Sequence, residues 1–165
     1  MAKPTSTDFC KSNKNKGSQY LDVCYPEICH ISCTNVNSYE GLQENVRKLR
    51  TPEIEVWNNK YPDREYTVEM NIPEFTCICP KTGLPDFATI KINYGPAKKC
   101  VELKSFKLYL IFYRNIGIFH EHLVNRILDD FVKACRPRWM KIEVDMNPRG
   151  GIQTSVIAEW PKKSK

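Results

Sequence analysis

The stretch from Phe119 to Cys135, FHEHLVNRILDDFVKAC, repeats an apolar or thiol side chain every four positions: Phe119, Leu123, Ile127, Phe131 and Cys135. Val124, Leu128 and Val132 widen that stripe into one face of an amphipathic helix. Pro137 stands just beyond it, where a helix stops. Downstream the period drops to two. Met140, Ile142, Val144 and Met146 occupy every second position, and after Pro148-Arg149-Gly150-Gly151 so do Ile152, Thr154, Val156, Ala158 and Trp160. Each run predicts a half-buried strand.

Upstream of that helix, residues 102–116 (ELKSFKLYLIFYRNI) suit a second one that stops near Gly117. Its high apolar content predicts burial on more than one side. Before it, Ala88, Ile90, Ile92 and Tyr94 alternate with Thr89, Lys91 and Asn93 as far as Gly95-Pro96. Tyr66, Val68, Met70 and Ile72 alternate as far as Pro73. Proline cannot donate to a ladder, so Pro73 reads as the end of that strand, and residues 74–86 (EFTCICPKTGLPD) read as a loop. The order is strand, strand, helix, helix, strand, strand. An α+β fold, with a four-stranded antiparallel sheet and two helices on one face, packs that order economically. The sheet edges and much of its other face stay open, and association of several copies would cover them. A homo-oligomer is expected.

The chain has 165 residues, enough for one domain. No apolar run approaches the ~20 residues of a membrane-spanning helix, and the mean hydropathy is -0.50. The N-terminus has no apolar core of the kind a secretory signal carries. A reducing cytoplasm is therefore expected, where an even count of eight Cys does not imply a disulfide framework. The net charge of +6 is spread along the chain. Nucleic-acid binders carry a denser basic stripe, whereas a mild positive field suits a small phosphate-bearing ligand. Residues 1–50 form an N-terminal extension rich in Ser, Asn and Lys. Its segment 11–19 (KSNKNKGSQ) reads as disordered, and 39–50 could make a short helical turn. It holds Cys10, Cys24, Cys29 and Cys33, to which no role is assigned, and a lone His30. Residues 51–165 carry the regular pattern and form the second part.

Four constellations bear chemistry. The stretch Glu74–Asp86 places Cys77, Cys79, Lys81 and Asp86 in a proline-stiffened loop. A thiol beside cations is activated as a nucleophile, and Asp86 could move protons. The same residues also suit a tight turn with buried thiols and a capping Asp. Cys77-x-Cys79 with the distant Cys29-His30-Ile31-Ser32-Cys33 makes a poor zinc signature. Lys104 and Lys107 share a helix face and, near a helix N-terminus, would form an anion site; alone they suit a solvated basic face. In His120-Glu121 the carboxylate could accept two N–H donors from a planar heterocycle, or simply complement the helix dipole. In Pro148-Arg149-Gly150-Gly151 the glycines allow close backbone approach and Arg149 could grip phosphate, though a plain turn needs none of this. Neither G-x-G-x-x-G nor G-x-x-x-x-G-K-[ST] is present.

Taken together these segments resemble the NADPH-dependent 7-cyano-7-deazaguanine reductases, the nitrile reductases of queuosine biosynthesis. The resemblance rests on Glu74-Phe75-Thr76, Cys79-Pro80-Lys81-Thr82-Gly83, Pro85-Asp86-Phe87-Ala88-Thr89, Glu102-Leu103-Lys104-Ser105-Phe106-Lys107-Leu108-Tyr109, Phe119-His120-Glu121 and Pro148-Arg149-Gly150-Gly151. It runs from about Ile54 to Trp160. It implies a tunnelling fold whose subunits assemble into barrel-like rings with active sites between them, in the single-module form of the enzyme. It implies Cys79 as the nucleophile that forms a covalent thioimide and Asp86 as the proton donor. Val101, Glu102, Leu103, His120 and Glu121 would line the substrate. Lys104, Lys107 and Arg149 would hold the phosphates of NADPH, and no metal, membrane or nucleic acid would take part. Two other readings are a zinc-dependent cyclohydrolase or pterin-type enzyme on the same fold, and a non-catalytic RNA-binding subunit.

Overall fold

The computed structural model describes residues 46–162, all within one unit, Cys33–Lys165. The disordered reading of 11–19, most of the turn expected over 39–50, the four N-terminal cysteines, His30 and the last three residues lie outside the described residues. Val46–Lys48 make a single 3-10 turn. Then follow β1 (Val56–Asn58), β2 (Val68–Ile78), β3 (Pro85–Gly95), β4 (Lys99–Val101), α1 (Leu103–Phe112), α2 (His120–Cys135), β5 (Trp139–Met146) and β6 (Ser155–Trp160).

The four long strands form one antiparallel sheet in the order β2-β3-β5-β6, and β1 pairs with β4 in a small second sheet. The register aligns apolar residues in rows across the large sheet. One row is Ile72, Ile90, Val144 and Val156; the next is Met70, Ile92, Ile142 and Ala158; the third is Val68, Tyr94, Met140 and Trp160. A period of two puts all three rows on the face the helices cover. The stripe of α2 packs down onto them: Leu123, Val124, Ile127, Leu128, Phe131 and Cys135 are buried, as the four-residue spacing predicts. Each fully buried aliphatic or aromatic side chain contributes about 1.5–3 kcal/mol. Phe131 stands edge-on to Tyr94 and Phe106, with ring centroids 5.0 and 5.4 Å away. The opposite sheet face is open and largely polar, with Phe87 and Ile157 exposed on it, and Lys91 Nζ lies 2.7 Å from Asp145 and 3.3 Å from Glu143.

Four expectations need correction. Pro73 does not end its strand. β2 runs on to Ile78 through a bulge between Ile72 and Phe75, with one more residue there than β3 has opposite. Proline is tolerated because β2 is an edge strand and a bulge leaves a residue unpaired. The extra residue inverts the side-chain phase. Even-numbered residues face the core before it; Phe75 and Cys77 face the core after it. Residues 74–78 and 85–86 are therefore strand rather than loop. The helix expected over 102–116 closes at Phe112 and tightens into a 3-10 turn, Tyr113–Asn115. Ile152 lies outside β6: it bonds back to Arg149 across the glycine turn, N to O 3.0 Å both ways. The strands β1 and β4, three residues each, are too short to show a period.

Candidate active site

Ionisation of a buried thiol is opposed by desolvation and favoured by N–H or O–H donors. The two thiols of the β2–β3 connection fall on opposite sides of that balance. Cys77, inward-facing after the bulge, is fully buried directly opposite Asp86. Burial and then the Asp86 charge push its pKa up to about 12, against a smaller pull from Arg149. Cys79 lies two residues on, just past the strand. Its amide donates to Leu84 O and its carbonyl accepts from Gly83 N, both at 2.9 Å, closing a tight turn. Gly83 has φ 69°, a left-handed conformation that suits glycine. The turn brings the Thr82 hydroxyl and the N–H groups of Thr82 and Lys81 to the sulfur. Burial raises the Cys79 pKa, but these donors outweigh it, and the net shift is downward. Below the thiol, Ile78 is clamped to the segment before α2: Ile78 N donates to Ile116 O at 3.0 Å and Ile118 N to Ile78 O at 3.1 Å.

Asp86 is almost wholly buried, at 1% exposure, yet its carboxylate has two side-chain partners. Arg149 reaches it with both terminal nitrogens, Nη2 donating to Oδ2 at 2.8 Å and Nη1 contacting Oδ1. His120 Nε2 lies 3.1 Å from Oδ2 and 3.2 Å from Arg149 Nη2. Three elements thus converge: β3 supplies Asp86, the first residue of α2 supplies His120, and the turn between β5 and β6 supplies Arg149. Glu121 follows His120, exposed in the first turn of α2.

The other expected site residues lie around α1. Val101 is buried in the core, and Leu103 is 63% exposed. The Glu102 carboxylate caps α1, accepting from Lys104 N at 2.8 Å and Ser105 N at 2.6 Å. These two hydrogen bonds hold its pKa below the usual carboxylate value. The expected anion site at that helix N-terminus is corrected accordingly: Glu102 already takes those N–H groups. Lys104 and Lys107 are both exposed on the helix. Lys107 and Arg114 border a cleft of about 420 Å³ whose other wall is the β2 edge from Met70 to Thr76. The walls are mostly apolar, with the Glu74 carboxylate among them, and the two cations suit the phosphates of a dinucleotide, so the residues present fit such a group on the Lys107 and Arg114 side. Among the described residues, no hydrogen bond or ion pair joins Val101, Glu102, Leu103, Lys104 or Lys107 to the Asp86 cluster.

Sequence reading missed Arg114, which borders that cleft from the 3-10 turn that follows α1. It also missed the backbone donors at Cys79, which leave no trace in side-chain identity. Among the described residues, no group of three or more His, Cys, Asp or Glu side chains is placed to hold a metal ion. No described helix is long and apolar enough to cross a membrane.

The chain is similar to several known proteins. A family profile described as "QueF-like protein" matches residues 85–165. A protein of Chlorobaculum tepidum is 55% identical over 112 residues, covering 68% of this chain and 96% of its own length. One from Halorhodospira halophila is 57% identical, covering 64% of this chain and 90% of its own. One from Nitrosococcus oceani is 54% identical, covering 66% and 84%. All three are named NADPH-dependent 7-cyano-7-deazaguanine reductase. A solved apo structure of the archaeosine synthase QueF-Like superposes with a TM-score of 0.50 at 23% identity, covering 58% of this chain and 91% of that one. That likeness places the chain in the same tunnelling fold.

Proposed function

The chain belongs to the family of NADPH-dependent 7-cyano-7-deazaguanine reductases, and from that premise we propose that it reduces the nitrile of 7-cyano-7-deazaguanine to an aminomethyl group through a thioimide on Cys79. The enzyme is an NADPH-dependent oxidoreductase. The observation that carries the mechanism is the contrast between neighbouring thiols: donors lower the pKa of Cys79 while burial raises that of Cys77.

A nitrile accepts hydride poorly. Addition of the Cys79 sulfur to its carbon, with a proton to its nitrogen, gives an imine-like thioimide. Asp86 relays that proton, held in place by His120 and Arg149. When bound, NADPH would supply the hydride, needed twice: at the thioimide carbon and at the carbon of the imine left when Cys79 departs. Across both reductions the carbon gains two hydrides and the nitrogen two protons. In this reading the side chains of Lys104, Lys107 and Arg149 would hold the cofactor phosphates, and Val101, Glu102, Leu103, His120 and Glu121 would line the deazaguanine. The catalytic module is 51–165, and the product enters queuosine biosynthesis in the cytoplasm. The exposed edges of β2 and β6 and the exposed Phe87 and Ile157 on the open sheet face favour a ring of copies. A ring would let α1 of one protomer complete the Cys79 site of the next.

Mixing the protein with 7-cyano-7-deazaguanine and following NADPH absorbance tests this, with two NADPH consumed per product. Without NADPH, mass spectrometry should find substrate added to Cys79. Full turnover by Cys79→Ala would defeat the reading, and stoichiometric zinc bound at the Cys79 loop would favour the zinc-dependent alternative.

A further inference from the structure

The Asp86 cluster contains more than proton transfer requires. The Arg149 guanidinium spends both terminal nitrogens on a carboxylate that is 1% exposed, while its own side chain is 46% exposed. A bidentate grip on phosphate uses that same planar fork. A single guanidinium does not offer both terminal nitrogens fully to two anions. Arg149 also sits beside Gly150 and Gly151, whose φ values are 57° and 80°, on an exposed turn where a phosphate can approach the guanidinium from solvent.

We propose that Asp86 and a cofactor phosphate compete for Arg149, so that cofactor arrival exchanges the guanidinium from the carboxylate to the phosphate. This rests on the functional reading above. Before exchange, Arg149 and His120 hold the carboxylate, with the thiols of Cys77 and Cys79 as the other titratable groups facing it. After exchange His120 still holds Oδ2. Among the described residues Oδ1 has no hydrogen-bond partner, and its contact with Arg149 Nη1 is then gone. That oxygen is released toward the substrate nitrogen once the hydride donor is in place. Arg149 thereby times to cofactor occupancy the proton delivery that accompanies hydride transfer, whereas the proton of thioimide formation is relayed before exchange, with Arg149 still on the carboxylate. Linkage is reciprocal: whatever Asp86 holds back from the phosphate, the phosphate takes from Asp86.

The test is a double-mutant cycle on NADP+ affinity, measured by calorimetry on the full chain. Asp86→Asn keeps the shape and removes the competing charge, and should tighten NADP+ binding about tenfold, within the usual range of site coupling. Arg149→Ala should weaken binding and abolish the gain from Asp86→Asn. Should Arg149→Ala fail to fold, Arg149→Lys replaces it in the cycle, and the gain should shrink to under about threefold because Lys lacks the fork. A purely structural role for either residue would give losses and no gain. Equal or weaker NADP+ binding by Asp86→Asn, or a gain that persists without Arg149, overturns the exchange. A wild type that neither binds NADP+ nor oxidises NADPH with 7-cyano-7-deazaguanine overturns the functional reading instead.

Discussion

Alkylation with iodoacetamide at pH 8 should separate the two thiols of the β2–β3 connection. Cys77 has its pKa pushed up to about 12, so only about one molecule in ten thousand carries that thiolate at pH 8. A thiol at the ordinary value of 9.0 would be about one-tenth ionised, and Cys79 lies below that value. The thiolate populations therefore differ by at least about a thousandfold. A more basic thiolate is intrinsically more reactive, with a Brønsted slope of about 0.4–0.5, which returns a factor of about twenty to thirty over three units. The net preference for Cys79 is at least about thirtyfold, before counting the zero exposure of Cys77. Peptide-resolved mass spectrometry over a time course reads both rates in one tube and keeps the N-terminal cysteines apart. Comparable rates at Cys77 and Cys79, or Cys79 reacting more slowly than a free cysteine peptide, would refute the assignment of the nucleophile.

Alkali should unfold the protein early. Cys77 and Tyr113 have folded pKa values pushed up to about 12, chiefly by burial, against ordinary values of 9.0 and 10.0. Their contribution is fully present below pH 9 and is lost as pH rises toward 12, because the unfolded chain releases protons that the fold retains. About 2–4 kcal/mol should disappear between pH 8 and 11, read as a falling urea midpoint; a flat midpoint would contradict the burial argument. Phe131→Ala should cost about 3–5 kcal/mol in urea unfolding, since Phe131 is fully buried between two aromatic rings; a loss under about 1 kcal/mol would mean the site collapses around the gap. Gly83→Val forces a branched residue into left-handed backbone at about 1–2 kcal/mol, and by loosening the turn should slow Cys79 alkylation at pH 8. Unchanged labelling would show that the turn does not set the reactivity of the sulfur.

What was legible in the sequence depended on the length of each pattern. The α2 stripe and the alternations of β3 and β5 are long enough that only one face can be buried, and the structure keeps them. The pattern around Pro73 was misread because a bulge and a strand end look alike in one dimension: each breaks the alternation at a residue that cannot donate. Ile152 matched the phase of β6, but a glycine turn bonded to Arg149 claimed it first. The site was legible as residue types and opaque as contacts. Cys79, Asp86, His120 and Arg149 could each be named, yet Asp86 and Arg149 stand 63 positions apart and their ion pair follows from the β3–β5 register. The reading of Lys104 near an open helix end failed because the carboxylate of Glu102 folds back onto its own helix.

The extra residue at Pro73 lets a single strand serve two incompatible demands. With unbroken alternation, β2 would either bury Met70 and Ile72 and turn Cys77 to solvent, or place Cys77 opposite Asp86 and strip the core of its aliphatic row. Parity, and not residue identity, is what this position encodes. Removing one residue there, or adding one, would exchange inside and outside for everything up to the reactive loop, whereas a change of two would leave that assignment intact.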